Sequence, residues 1–291
     1  MMNQFALFTD SSCDLPLHLA EEMELTVLPL TLHMDGSDYK NYLDERDITY
    51  PDFYAALPKA HNVKTSATNT QAFIEAMEPV LDAGQDILYI GFSSALSGTC
   101  NAGFQAAAEL REKYPDRKIY CVDSLCASMG EGLLVTLADQ KRRTGASIEE
   151  VRDYVEDTKL HVCHWFTVDD LNHLKRGGRV SATAAFLGTM LGIKPIMHVD
   201  NAGRLIPVDK QRGRKASVRR LADEMQRLAI NPAEQKVYIS HGGCEEDAKT
   251  LANIIRERMG TTDITIGYVG PVIGAHSGPG TLALFFLGTE R

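Results

Sequence analysis

The sequence predicts an α/β protein of two domains with mostly parallel sheets. Apolar runs of strand length recur along the chain, and amphipathic stretches of helix length fall between them. Strands alternating with such helices form parallel sheets covered on both faces. The 291 residues exceed one small core and suit two domains. An apolar share of 44% and a charged share of 24% are those of an ordinary globular chain.

The elements follow in order. Residues 5–8 (FALF) read as an apolar strand leading into TDSSCD, and a helix runs over 15–22. Residues 27–32 alternate like a strand; a polar loop and a short helix near 50–57 follow. Residues 67–70 cap a helix running to about 83. Residues 86–91 (DILYIG) read as a buried strand, 97–114 as a helix, 119–122 as a strand and 127–144 as a helix. A second section starts near 161 with a strand (161–167), a short helix ending in KRGGR (175–179) and a helix around 182–191. Strands 193–199 and 205–208, joined by NAGR, form a hairpin. A helix (214–229), a strand (237–241), a helix (245–259) and a last strand (264–269) complete the pattern. The tail, 280–287, reads as an apolar helix. The expected division is 1–160 and 161–291, with the tail 270–291 at the junction.

Several function classes fall away on composition. A formal net charge of −9 argues against nucleic acid, despite a basic run at 210–215 (KQRGRK). No apolar run reaches the ~18 residues of a membrane span. The start, MMNQF, lacks a basic region followed by a long apolar core, so a cytoplasmic protein is expected. Six cysteines without a C-x-x-C pair read as reduced, half-buried thiols, so neither zinc nor disulfides are expected.

Three segments place hydroxyls or histidine at expected helix starts: TSAT (65–68), SSALSGT (93–99) and HSGPGT (276–281). Helix N-termini offer free N–H groups and the positive dipole end to an anion. None of the three carries Lys or Arg, which suits one modest anion such as a carboxylate. Thr65, Ser66, Ser93, Ser94 and His276 are the candidate carboxylate-binding residues. Glycines around His276 let backbone approach a ligand closely. Asp10, at the carboxyl edge of the first strand, reads equally as a ligand-edge group or a helix cap.

Catalytic alternatives are weaker. GFSSA (91–95) matches a nucleophile elbow only in part, with alanine for the second glycine. An esterase would use Ser93 or Ser94 with His276 as base, and no spacing selects its acid among Asp10, Asp123 and Asp170. The glycines fit neither G-x-G-x-x-G after a first strand nor a P-loop, so no nucleotide cofactor is expected.

Seven ordered blocks carry a resemblance: FTDSSCDLP, TSAT, GFSSALSGT, VDSLCASMGEG, LKRGGRVS, GRLIPVDKQRGRKAS and GPVIGAHSGPGTLALFF. The chain resembles the DegV family of bacterial fatty-acid-binding proteins from about residue 5 onward. The resemblance implies a long-chain fatty acid in a tunnel between two α/β domains; with no complete triad, metal set or phosphate loop in the sequence, no catalytic centre is expected. In some members a separate fatty-acid kinase subunit receives the carboxylate and makes acyl phosphate for phospholipid synthesis. One block departs: TSAT (65–68) stands where T-S-Q-P is usual, with Ala67-Thr68 in place of Gln-Pro, and the rigid proline is gone. An acyl chain needs a dry lining, for which Phe92, Met129, Phe186, Met190 and Ile193 are candidates, with Leu125, Leu191 and Ile196. Burying a chain of about sixteen carbons at ~0.8 kcal/mol per methylene gives a gross term of roughly 12 kcal/mol. Arg176, Arg179, Lys210 and Arg214, with Lys175 and Arg212, are expected to form a docking surface at the tunnel mouth. Its partner would be an acidic protein or an anionic membrane surface.

Overall fold

Short apolar segments with polar turns between them place most strands of the two larger sheets, and the computed structural model describes residues 5–180 and 192–291. In chain order come β1 (Phe5–Asp10), α1 (Leu17–Glu22), β2 (Thr26–Leu28), β3 (Thr31–Met34), β4 (Ser37–Lys40), α2 (Tyr50–Ala56) and β5 (Val63–Ser66). Next are α3 (Thr70–Asp82), β6 (Asp86–Gly91), α4 (Thr99–Lys113), β7 (Ile119–Asp123), α5 (Met129–Arg143) and α6 (Ile148–Thr158). Then follow β8 (Val162–Thr167), α7 (Asn172–Arg176), β9 (Ile193–Val199), β10 (Leu205–Arg212) and α8 (Arg214–Leu228). The series closes with β11 (Val237–His241), α9 (Glu245–Met259), β12 (Ile264–Tyr268), α10 (Pro271–Ser277) and β13 (Leu282–Leu287).

Three sheets result. The first, in the order β2-β1-β6-β7, is parallel throughout. Helices α3 and α4 cover one face, where Phe8, Phe73, Tyr89 and Leu110 share a core. On the other face α5 and α6 bury Leu7, Leu88, Ile90, Leu133 and Val151. The second sheet, β10-β9-β8-β13-β11-β12, is mixed: only β11 and β12 pair in parallel. Helices α8 and α9 pack on it through Val218, Leu221, Leu251 and Ile255. Its far side meets α5, where Thr136 Oγ1 lies 2.9 Å from the Tyr238 hydroxyl. A small antiparallel sheet, β4-β3-β5, packs beside α10.

Local chemistry sets several boundaries. Asn69 caps α3 by accepting from the Ala72 N–H at 2.9 Å. Ser147 and Glu150 form a capping box at α6, a helix the sequence reading did not anticipate. The expected strand over 27–32 is two strands, β2 and β3, which separate at Pro29 and enter different sheets. The expected polar loop contains β4, and TSAT begins in strand β5 rather than at a helix start.

The tail is the main correction. Residues 280–287 are not a helix. LALFFL is β13, antiparallel to both β8 and β11 at the centre of the six-stranded sheet. A six-residue apolar run cannot display helical periodicity, and a strand covered on both faces needs apolar side chains at every position. The expected helix around 182–191 lies outside the described residues.

Candidate functional site

A cavity of about 920 Å³, its open mouth included, lies between the carboxyl ends of the first sheet and the inner face of the second. Phe92 and Leu96 line it from the β6–α4 turn, Val199 and Leu205 from the β9–β10 hairpin, and Phe166 and Phe285 from β8 and β13. These walls follow from topology, because the carboxyl edge of a parallel sheet is where the chain turns and leaves space.

One end is polar. Thr65 Oγ1 on β5 lies 2.8 Å from His276 Nε2 in the last turn of α10. Burial, reinforced by the Arg179 charge, lowers the His276 pKa to about 4, so the ring is neutral at neutral pH. Gly177 makes room for it: a Cβ there would stand 2.3 Å from His276 Nδ1. Ser97, Ser277 and Arg179 also line the cavity. Among the described residues the buried Ser277 hydroxyl has no hydrogen-bond partner. Ser97 Oγ lies 3.0 Å from Thr99 Oγ1 and accepts from the Thr99 N–H at 3.2 Å. Arg179 Nε donates to the Leu96 carbonyl at 3.2 Å, and Nη1 to the Gly177 carbonyl at 2.5 Å.

The remaining hydroxyls named from the sequence do not line this cavity. Strand alternation turns Ser66 away from Thr65 and out to solvent, where its Oγ lies 2.6 Å from His33 Nε2. Ser93 is fully buried, and its Oγ donates to the Gly203 carbonyl at 2.9 Å, tying the first sheet's edge to the hairpin. Ser94 is exposed, and its N–H donates to Asp123 Oδ1 at 3.2 Å. Among the described residues neither serine is brought to a histidine as a nucleophile would be; His276 bonds Thr65 instead. His276 itself ends a helix rather than beginning one. Thr68, at the position of the usual proline, donates to the Pro29 carbonyl at 3.0 Å.

Of the proposed lining, Phe92 reaches the cavity. Met129 is buried in the first core, Ile196 lies in the core beneath α8, and Ile193 pairs with Arg212 at the end of the hairpin. Leu125 sits against Gly203 and does not line the cavity. Phe186, Met190 and Leu191 fall outside the described residues.

The basic residues separate. Arg176 and Arg179 line an outer groove with His61, Lys64 and His173, and this groove shares Thr65, Arg179 and His276 with the cavity. Arg214 is held elsewhere, its Nε 2.8 Å from Asp247 Oδ2 and its Nη1 3.6 Å from Asp169 Oδ1. Lys210 is on β10, outside the groove. Among the described residues no cluster of His, Cys, Asp and Glu suits a metal ion, and no helix is long and apolar enough to cross a membrane.

These features define an α/β protein whose two main sheets enclose an apolar cavity with a hydroxyl- and histidine-lined end. The chain belongs to the DegV family: a family model described as "Uncharacterised protein, DegV family" matches residues 4–289. A DegV domain-containing protein of Clostridium perfringens, CPE0026, is 46% identical over 290 residues, covering 100% of this chain and 99% of the relative. A solved DegV family protein from Thermus thermophilus, described as binding fatty acid, matches with TM-score 0.87 and 27% identity over 98% of this chain and 99% of that one. DegV of Bacillus subtilis, described as a fatty acid binding protein, matches with TM-score 0.83 and 28% identity over 98% and 99%.

Proposed function

We propose that this protein binds a long-chain fatty acid, with the carboxylate at Thr65 and His276 and the acyl chain in the apolar cavity. The observation that carries the reading is the Thr65–His276 pair at one end of a cavity walled by Phe92, Leu96, Phe166 and Phe285. A carboxylate offers about four acceptor sites. Thr65, its hydroxyl oriented by a bond from His276 Nε2–H, supplies a neutral donor together with Ser97 and Ser277, and the Arg179 guanidinium adds positive charge without leaving its carbonyl partners. The fatty-acid-binding relatives support the ligand class. Ser66, Ser93 and Ser94 act at one remove in this reading: Ser93 holds the hairpin, and Ser66 and Ser94 shape the turns.

The protein is a carrier rather than an enzyme in this proposal. It works in the cytoplasm and presents the carboxylate to a fatty-acid kinase subunit that makes acyl phosphate for phospholipid synthesis. The outer groove supports a docking role for Arg176 and Arg179, since it opens beside the proposed carboxylate site. Residues 1–160 and 161–291 are the proposed domains, with the cavity between them. Solvent extraction of purified protein followed by mass spectrometry tests the reading. Stoichiometric long-chain fatty acid is expected. An empty extract, with no stearate binding by the protein in calorimetry, would refute it.

A further inference from the structure

A second polar point lies in the cavity wall, apart from Thr65 and His276. Ser128, just before α5, and Ser240, on β11, both line the cavity, and their hydroxyl oxygens lie 3.0 Å apart. Behind them Ser128 Oγ is 2.5 Å from Asp14 Oδ2, inside the protein. The position along the cavity follows from register. Thr281, just before β13, and Ala283 and Phe285 on it line the same wall, and Ser240 pairs with Ala283. Ser240 is therefore about 7 Å along the strand from Thr281, which bonds back to Gly278 beside the His276 end. A ligand seated at Thr65 would pass this point with its chain, not its head group.

The backbone marks the same place. Ser128 holds φ +52° and ψ −146°, a left-handed-side conformation natural to glycine. A serine held there carries backbone strain, and its hydroxyl is bonded to both Asp14 and Ser240.

We propose that the Ser128–Ser240 pair recognises a hydroxyl group carried on the acyl chain, so that hydroxy fatty acids are ligands of this cavity. The proposal rests on the fatty-acid reading above. The bonding balances in either state of Asp14. When the carboxyl is ionised, Ser128 donates to it, Ser240 donates to Ser128, and the Ser240 oxygen accepts from a ligand hydroxyl. When the carboxyl is protonated, it donates to Ser128, Ser128 to Ser240, and Ser240 to the ligand oxygen. Burial raises the Asp14 pKa to about 8, so the donating state prevails at neutral pH. An alcohol serves both states, because a hydroxyl donates and accepts.

The test is calorimetry on delipidated protein with stearate and a positional series of hydroxystearates. At least one isomer should bind the parent protein as tightly as stearate, although an unpaired hydroxyl in an apolar cavity would weaken binding roughly tenfold or more. In Ser240→Ala, and separately in Ser128→Gly, which suits the positive φ, that isomer should lose roughly fivefold or more relative to stearate. A merely structural role for the pair would weaken both ligands alike. If every isomer binds the parent tenfold or more weaker than stearate, or if the isomer-to-stearate ratio is unchanged in Ser240→Ala, the proposal is wrong. Failure of stearate itself to bind the parent would instead overturn the fatty-acid reading, and this proposal with it.

Discussion

Replacing Thr65 with valine isolates the proposed head-group contact. Valine keeps the β-branched shape that β5 favours and removes only Oγ1, which lies 2.8 Å from His276 Nε2. Two losses follow: a donor to the carboxylate, and the bond that orients the ring. A hydrogen bond to a charged group contributes about 1.5–3 kcal/mol, so fatty-acid affinity should fall roughly 10- to 150-fold. Chain burial is untouched, and its gross term of roughly 12 kcal/mol for about sixteen carbons still favours retention. The variant should therefore continue to carry lipid through purification, and only titration of delipidated protein reveals the loss. Ser66→Ala is the matched control, because Ser66 faces solvent on the opposite side of the same strand. It should bind as the parent does. The reasoning fails if Thr65→Val binds within twofold of the parent while Ser94→Ala or Ser66→Ala loses tenfold.

Gly177→Ala should mimic loss of His276, since the new Cβ would stand 2.3 Å from Nδ1; the expectation is a binding defect equal to that of His276→Ala, read in the same titration. Gly203→Ala should cost at least about 1–2 kcal/mol in denaturant unfolding, because φ is +73° and the Cβ would fall 2.2 Å from the buried Ser93 Oγ; an unchanged midpoint would show that the hairpin tie is dispensable. Asp14 has a folded pKa raised from 3.8 to about 8 by burial, so the folded state holds a proton that the unfolded state releases, and stability should decline as pH rises from about 4 to 8. Asp14→Asn, tolerated at φ +50°, should flatten that slope in thermal melts. The His276 pKa is lowered to about 4, so its neutral form favours folding above its unfolded value, and its contribution is lost as pH falls from about 6.5 toward 4; His276→Gln should remove that part of the acid limb.

Much of the first sheet was legible in the sequence, because each of its strands is a short apolar run bounded by polar turns. DILYIG occupies β6 over the expected residues, and β7 and the helices around it differ from expectation only at their ends. Thr65 and His276 were legible too, as a hydroxyl and a histidine set among turn residues. Their meeting was not: they are 211 positions apart, and only the packing of α10 beside β5 joins them. Choosing among neighbouring hydroxyls also lay beyond the pattern. Thr65 faces the cavity and Ser66 the solvent because β5 is a strand, with a period of two, where a helix start was expected. Ser97 and Ser277 reach the cavity while Ser93 and Ser94 do not, since the turn after β6 directs Ser93 to the hairpin carbonyl of Gly203. LALFFL is the sharpest case. Six apolar residues carry no period that separates a buried helix from a covered strand, and the open place between β8 and β11 decides for the strand. Local chemistry thus determined which residues could form each element and which could hold an anion. Long-range pairing decided which way each side chain points, because backbone hydrogen bonds in a buried sheet must be completed by whichever strand lies alongside.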